Sequence, residues 1–153
     1  MNYNNPPLEA EEQKKVVQYL EARRIPYNAP INENIFSGII RTILIKMLGE
    51  KKGLFLSNKI NSSLENKAKS LGKSKGFPDL QILRPNKYYS GLFIELKRQK
   101  KQLKTKLSTS HTKTSKEQLE WIYKLNNEGY YAIVCYGADE AIEVIENYMD
   151  GIV

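Results

Sequence analysis

The fold is decided by residues 76–97, which read GFPDLQILRPNKYYSGLFIELK. Two short apolar runs, 78–83 and 91–97, lie on either side of a turn that contains Pro85 and Asn86. Apolar runs of strand length that flank a proline and asparagine turn are typical of paired strands. The stretch therefore predicts an antiparallel β-hairpin.

Three charged residues interrupt the apolar runs of this hairpin. Glu95 and Lys97 are two residues apart, so both side chains point to the same face of a strand. Asp79 begins the neighbouring strand and can lie across from them. We therefore expect two carboxylates and one ammonium group to meet at one end of a sheet.

This combination of side chains suits metal-assisted hydrolysis of a phosphodiester bond. Mg²⁺ prefers oxygen ligands, commonly one or two carboxylates together with water and substrate phosphate. Such an ion acidifies bound water and neutralises phosphoryl oxygens, and a neighbouring lysine can orient the water or stabilise developing charge. The alternative is a solvated Glu/Lys pair on an edge strand. It is the better interpretation of an isolated E-x-K, but not of the whole hairpin pattern.

The rest of the chain has the helices and strands that would surround such a hairpin. Ser115 and Gln118 form an S-x-x-Q capping box at the start of a helix. The expected fold class is α/β of the α+β type, a small mixed β-sheet with the hairpin, flanked by helices. Residues 1–8 are expected to be a flexible tail and 9–153 a single domain. Hydrophobic periodicity and turn residues predict helices at 9–24, 35–48, 62–71, 115–129 and 138–150, and further strands at 54–57 and 130–136.

The charge of the chain favours a polyanionic partner. Its 153 residues carry a formal net charge of +7, which suits nucleic acid or an anionic membrane surface. No run of about 18 apolar residues exists, so no transmembrane segment is expected. The single cysteine, Cys135, can form neither an internal disulfide nor a zinc cluster, which favours a cytoplasmic location.

Basic residues are concentrated directly after the second strand of the hairpin. From Lys97 to Lys116, both included, there are eight lysines or arginines and no acidic residue. We expect this loop to bind phosphates of a nucleic acid beside the site, with an affinity that falls as the salt concentration rises. The alternative is a solvated mobile loop, which would have the same composition. The candidate nucleic-acid-binding residues, here and just before the hairpin, are Lys73, Lys75, Arg98, Lys100, Lys101, Lys104, Lys106 and Lys113.

The hairpin resembles the PD-(D/E)XK nuclease superfamily and, within it, the virus-type replication-repair nuclease (VRR-NUC) family. Residues 72–80 are similar to the family's G-x-x-x-G-x-P-D-L segment, and Gln118 with Trp121 to its Q-x-x-W helix. Near the N-terminus, Glu9-x-x-x-Gln13 resembles its first helix. The resemblance covers about residues 9 to 153.

That resemblance implies a restriction-endonuclease-like core and a DNA nuclease that depends on Mg²⁺ or Mn²⁺. It implies Asp79 and Glu95 as metal ligands and Lys97 as the catalytic lysine. It further implies a supporting role for Gln118 and one more carboxylate from the first helix. We expect a structure-selective endonuclease of replication, repair or recombination, acting on duplex, flap or branched DNA, because no domain for threading a strand is visible.

Helix phase bears on which glutamate completes the metal site. At about 100° per residue, Glu9 lies about 20° from Val16, and Glu12 about 40° on the other side. Glu9 is our first choice as the third ligand and Glu12 the alternative. Both can also be solvated first-turn glutamates favoured by the helix dipole.

Two segments, 32–72 and 97–118, are longer than the corresponding spacings of the VRR-NUC family, which leaves the choice of substrate open. The alternative function is a non-catalytic DNA-binding accessory module on the same fold. A weaker alternative is an RNA-directed enzyme or a structural ribosome-type binder.

The apolar face of helix 35–48 is expected to be buried in the core. Alternatively it is the interface of a homodimer, which would present two active centres to two DNA strands.

Overall fold

The computed structural model describes residues 7–30, 33–99 and 113–153. They form two compact units: unit 1 takes the described residues within Met1–Pro30 and Gly76–Val153, and unit 2 takes those within Ile31–Lys75. The prediction of one domain over residues 9–153 stays a prediction. Most of the expected basic loop, including Lys100, Lys101, Lys104 and Lys106, lies outside the described residues, as do residues 1–6 of the expected tail.

Five helices and four strands make up the described part of the chain. The class expected from the sequence, α+β with a small mixed sheet, is confirmed. Within the described residues, no helix is long and apolar enough to cross a membrane. In chain order the elements are α1 (Glu9–Ala22), β1 (Tyr27–Asn28), α2 (Glu33–Leu48), α3 (Glu50–Ser70), β2 (Leu80–Ile82), β3 (Leu92–Lys97), α4 (Lys116–Asn127), β4 (Tyr131–Tyr136) and α5 (Ala138–Met149).

The sheet of unit 1 has the strand order β1-β2-β3-β4. Strands β2 and β3 pair antiparallel, with Leu80 opposite Ile94, so the predicted hairpin is confirmed. Strand β4 runs parallel to β3, and α4 makes the crossover between them. All six residues of β3 are buried, because this strand lies inside the sheet and helices cover both of its faces.

Alternation along β3 divides its side chains between two cores. Leu92, Ile94 and Leu96 join the larger core, where α1 and α5 pack on the sheet. Phe93 joins a smaller core on the opposite face, with Leu125 of α4. Glu95 and Lys97 alternate in phase with Phe93, so they face the side that α4 covers.

Unit 2 is a hairpin of two helices, and here one prediction is wrong. Residues 54–57 were expected to form a strand and a new helix to begin at 62, but both stretches belong to α3. A short apolar run does not by itself distinguish a strand from a helix. Gly53 does not end a helix: a Cβ there would lie 2.6 Å from the Ile45 Cα, so this glycine allows the two helices to approach closely.

The expectation that one core buries the apolar face of α2 is also wrong. Phe36, Ile39, Ile43 and Met47 are each at least half exposed. The side chains of α2 nearest α3, such as Ile40 and Leu44, are half-buried. The pairing of α2 with α3 therefore buries one edge of α2 and leaves its main row of apolar side chains exposed.

Candidate active site

Asp79 and Glu95 meet where the hairpin strands pair. Because Leu80 is opposite Ile94, the preceding residue Asp79 comes next to Glu95. The Leu96 backbone N–H donates a hydrogen bond to Asp79 Oδ2, at 3.0 Å. This bond ties the carboxylate of the shorter strand to the backbone of the longer one, beside Glu95. The predicted convergence of the two carboxylates is observed.

Lys97 lies against Glu95 inside the protein. Its Nζ is 2.5 Å from Glu95 Oε1, and the two residues are only 5% and 1% exposed. A buried ion pair loses hydration that the mutual attraction only partly returns. Such a pair is weak evidence for a stabilising role and better evidence for a functional one.

Gln118 connects α4 to the same carboxylate oxygen. Its side-chain Oε1 accepts a hydrogen bond from the Ser115 N–H at 2.8 Å, and its own N–H donates to Ser115 Oγ at 3.2 Å. The predicted capping box is thereby confirmed. The Gln118 Nε2 donates to Glu95 Oε1. One side chain therefore caps α4 and also holds Glu95. This double role is more specific than the supporting role that the resemblance implies.

Gly76 explains how the chain enters this site. Its φ of +78° is in the left-handed region, and a Cβ would lie 2.8 Å from the Gln118 backbone nitrogen. Phe77 then packs edge-on against Phe93 and Trp121. The glycine and the phenylalanine thus fit the segment before Asp79 closely against α4, which accounts physically for the G-x-P-D pattern.

Burial raises the pKa of both carboxyl groups. For Glu95 the pKa rises from 4.5 to about 7, first because of burial and then because of the negative charge of Asp79, while Lys97 opposes the rise. For Asp79 burial also raises the pKa, and the Leu96 N–H and Lys97 oppose it. One ammonium group therefore does not offset the cost of placing the buried Glu95 carboxylate beside the half-buried Asp79 carboxylate, and a divalent cation would relieve it.

The site fits a hard divalent cation. Both hydrogen bonds described for Glu95 go to Oε1, whereas its Oε2 is buried without a hydrogen-bond partner. A buried carboxylate oxygen left without a partner is costly unless an ion or water completes it. Two carboxylates suit Mg²⁺ or Mn²⁺, which take their other ligands from water and phosphate. No group of three or more His, Cys, Asp or Glu side chains forms a ligand set among the residues described.

The two glutamates considered for the third ligand have different surroundings. Glu12 is fully buried, and its Oε2 accepts a hydrogen bond from the Ala138 N–H at 2.9 Å. It therefore binds the N-terminus of α5, a role that the sequence did not reveal although helix phase placed it near Val16. Glu9 is half-buried, and its charge raises the pKa of Glu95. Glu9 is thus within electrostatic range of the site, and its role as a ligand stays a prediction.

The described candidates for nucleic-acid binding are spread over both units. Arg98 follows β3 and its Nε donates to the Pro7 carbonyl at 3.0 Å. Lys113 in unit 1 is exposed, and so are Lys73 and Lys75 in unit 2. Their contribution to binding stays a prediction.

Comparison with known proteins identifies the family. The family model described as "VRR-NUC domain" matches residues 38–139, more than half of the chain. The chain therefore belongs to the VRR-NUC family, whose domain is of the nuclease type. Asp79, Glu95, Lys97 and Gln118 fall inside the matched range, whereas Glu9 falls outside it.

A solved structure described as "VRR_NUC domain protein" is 33% identical to the chain. The similarity covers 57% of this chain and 63% of that chain, with a TM-score of 0.49. The chain thus spans less than two thirds of the length of that relative. No curated protein matches the chain.

The metal-free protein is expected to lose stability as the pH rises. The Glu95 pKa is 4.5 when solvated and about 7 in the fold, so between these values the folded state binds the proton more tightly. Deprotonation through this window then lowers the free energy of unfolding, on the order of 1–3 kcal/mol. Urea unfolding in EDTA at pH 5 and pH 8 measures the loss. The same loss in Glu95→Gln, which cannot titrate at this position, would contradict the prediction.

Proposed function

We propose that this chain is a Mg²⁺- or Mn²⁺-dependent deoxyribonuclease that hydrolyses phosphodiester bonds. The observation that carries the proposal is the buried, unpartnered Oε2 of Glu95. It lies beside Asp79 and within the same side chain as the oxygen that Lys97 and Gln118 hold. A purely structural ion pair would have no need of a second, half-buried carboxylate next to it.

Asp79 and Glu95 are the residues that would hold the metal. Glu9, whose charge acts on Glu95 although the three carboxylates form no ligand set in this structure, is the proposed third carboxylate once an ion is bound. When bound, a divalent ion supplies an activated water and relieves charge on the phosphoryl group. Gln118 and Lys97 both bond to Oε1 of Glu95, which leaves Oε2 as the oxygen that would hold an ion. A ligand fixed in this way loses little entropy when it binds the ion.

Lys97 is the proposed catalytic residue. Its ammonium group, held against Glu95, would lie next to the attacking water and to the phosphoryl oxygens. There it can orient the water, donate a proton from Nζ to the leaving oxygen, and stabilise the negative charge that develops in the transition state. The surrounding burial excludes bulk water, which strengthens each of these interactions.

The proposed substrate is DNA. The proposed activity is structure-selective endonucleolytic cutting in replication, repair or recombination. The net charge of +7 favours a polyanion, and lysines and arginines after β3 would reach phosphates close to the site. The single buried cysteine suits the reducing cytoplasm. A homodimer would present two such centres to the two strands of a duplex or branch.

The proposal is tested by cleavage of linear duplex, flap and four-way-junction DNA with Mg²⁺, with Mn²⁺ and with excess EDTA. We expect cutting with either metal, no cutting in EDTA, and faster cutting of a branched substrate than of the linear duplex. Binding of all three substrates without cutting under any metal condition would instead indicate the non-catalytic DNA-binding module.

A further inference from the structure

Nearly all of the net charge of the chain lies in the sequence of unit 2. Residues 31–75 contain nine lysines or arginines and three acidic residues, a formal charge of +6 out of the +7 of the whole chain. The residues outside this range contain fifteen lysines or arginines and fourteen acidic residues, so they are almost neutral together. Unit 2 is therefore the part of the chain that attracts a polyanion most strongly.

Four exposed lysines share the outer face of α3. They are called the α3 basic face and comprise Lys51, Lys52, Lys59 and Lys69. At about 100° per residue, they fall within about 100° of the helix circumference. This arc lies opposite Gly53, which packs closely on Ile45 of α2. Glu65, the acidic residue of α3 nearest to the arc, lies about 40° outside it. The face is thus uniformly basic and points away from α2.

The α3 basic face has few negative partners. Lys69 Nζ lies 3.0 Å from Glu65 Oε1, in a pair whose side chains are both more than half exposed. In the described part of the chain, no ion pair joins the other three lysines of the face to an acidic residue. The pKa of the Glu65 carboxyl is lowered, first by its hydrogen bond with Lys69 and further by the charges of Lys73 and Lys75. The potential at this end of α3 is therefore positive even beside its acidic residue.

The spacing of the lysines along α3 suits the backbone of a DNA duplex. With a rise of 1.5 Å per residue, Lys52 lies about 11 Å from Lys59 along the helix axis, and Lys59 about 15 Å from Lys69. The major groove of B-DNA is about 12 Å wide, so successive lysines can reach phosphates on the two sides of one groove.

Uncharged polar side chains complete the α3 basic face. They recur every four residues on the same side of the helix, at Asn58, Ser62, Asn66 and Ser70. Amide and hydroxyl groups of this kind donate hydrogen bonds to phosphate and sugar oxygens, which positions a protein on a duplex without reading its sequence. The combination of lysines with such donors is therefore typical of a surface that binds a nucleic-acid backbone.

Duplex DNA fits this face better than an anionic membrane does. A helix that lies in a membrane surface buries a broad apolar face and places its lysines at the edges of that face. The outer face of α3 has one large apolar side chain, Phe55, whereas Leu56 and Ile60 lie on the side toward Gly53 and are half-buried. The lysines of α3 are thus surrounded by polar groups and not by apolar surface.

We propose that the α3 basic face binds the sugar–phosphate backbone of duplex DNA and holds the substrate without taking part in its cleavage. Because the contact is made to phosphates, it is independent of base sequence and weakens steeply as the salt concentration rises. The inference rests on the proposed function only in taking DNA as the substrate. Binding at this face needs no metal, so the two proposals can fail separately.

The first test measures the affinity for a labelled duplex of about 20 base pairs by fluorescence anisotropy, in EDTA and at about 50–200 mM NaCl. The α3 triple variant is Lys51→Ala, Lys52→Ala and Lys59→Ala. We expect it to bind at least about 30-fold more weakly than the wild type at about 100 mM NaCl. The slope of log affinity against log salt should become shallower by about 2–3, because each lost phosphate contact removes about one unit.

The matched control removes the same charge from exposed positions of unit 1, with Lys14→Ala, Arg84→Ala and Lys87→Ala in one protein. It should lose less than about 3-fold in affinity, because non-contacting charges act only through a screened field. An equal loss in the two triple variants, or an unchanged affinity of the α3 triple variant, would overturn the proposal. So would a wild type that binds vesicles of anionic phospholipid but not duplex DNA at the same salt concentration.

The fold of the α3 triple variant should be preserved, because alanine favours a helix at least as much as lysine does. Circular dichroism checks this. The variant with arginine at the same three positions keeps the charges, and it should bind DNA as the wild type does. Weak binding by this arginine variant would show that the positive charges are not what holds the DNA.

A cleavage measurement separates holding the substrate from cutting it. With Mg²⁺, the α3 triple variant should reach the wild-type single-turnover rate at saturating protein, but half of that rate should need at least about 30-fold more protein. A lower rate at saturation would place these lysines in the cleavage chemistry and overturn the proposal. If the wild type does not cut DNA, the proposed function fails, and the binding measurement in EDTA still decides the role of the α3 basic face.

Discussion

Lys97→Ala is expected to abolish DNA cleavage, with a loss of at least about 10³-fold in rate. The reason is that Lys97 supplies the only positive charge in contact with Glu95 among the described side chains. In the proposed mechanism, its removal would leave the attacking water without an orienting partner and the transition state without its counter-charge. Metal affinity should not fall, because the two carboxylates remain and lose a competing cation.

The rate is measured under single-turnover conditions with Mg²⁺, on the substrate that the wild type cuts best. Circular dichroism checks the fold, because truncation of this buried side chain to alanine would leave a cavity; Lys97→Met keeps most of the side-chain volume and should be equally inactive. Lys87→Ala, an exposed lysine elsewhere in unit 1, is the control and should cut at the wild-type rate. Near-normal cutting by the Lys97 variants would remove Lys97 from the active centre.

Asp79→Ala is expected to lose metal binding and, with it, cleavage. Asp79 contributes one of the two carboxylates in contact at the proposed ion site, so its removal should weaken Mn²⁺ binding by at least about 10²-fold and the cleavage rate by about 10³-fold or more. Asp79→Asn can still accept the hydrogen bond from the Leu96 N–H, so it separates loss of charge from loss of local structure.

Isothermal titration with Mn²⁺ and the same cleavage assay give both numbers. The control is Asp139→Asn, which removes an exposed carboxylate from the first turn of α5. The expected pattern is a separation of effects: Lys97→Ala binds metal without cutting, and the Asp79 variants do neither. An Asp79→Asn protein that binds Mn²⁺ as tightly as the wild type would show that the ion, if any, is held elsewhere.

The central features of the site could be predicted because they depend on local rules. Alternation along a strand places Glu95 and Lys97 on one face, and the turn at Pro85 brings Asp79 beside them. The capping box at Ser115 was recognisable from its spacing. The second role of Gln118, its hydrogen bond to Glu95, could not be recognised, because it joins residues 23 apart in the chain.

The features that were missed depend on packing between distant segments. Helix phase placed Glu12 near the buried face, but nothing local indicated that its partner is the amide of Ala138. The continuity of α3 through residues 54–57 was missed, since the close approach of Gly53 to Ile45 is visible only in three dimensions. The apolar pattern of α2 predicted a helix correctly, but such a pattern does not say what covers its apolar face.

The position of a bound ion tests the proposed metal site most directly. A crystal grown with Mn²⁺ can be measured for anomalous scattering, which locates manganese independently of any assumption about its ligands. We expect a peak within about 2.0–2.3 Å of both Glu95 Oε2 and an Asp79 carboxylate oxygen. A manganese peak elsewhere in the fold, with Glu95 Oε2 still without a partner, would contradict the proposed metal-dependent site.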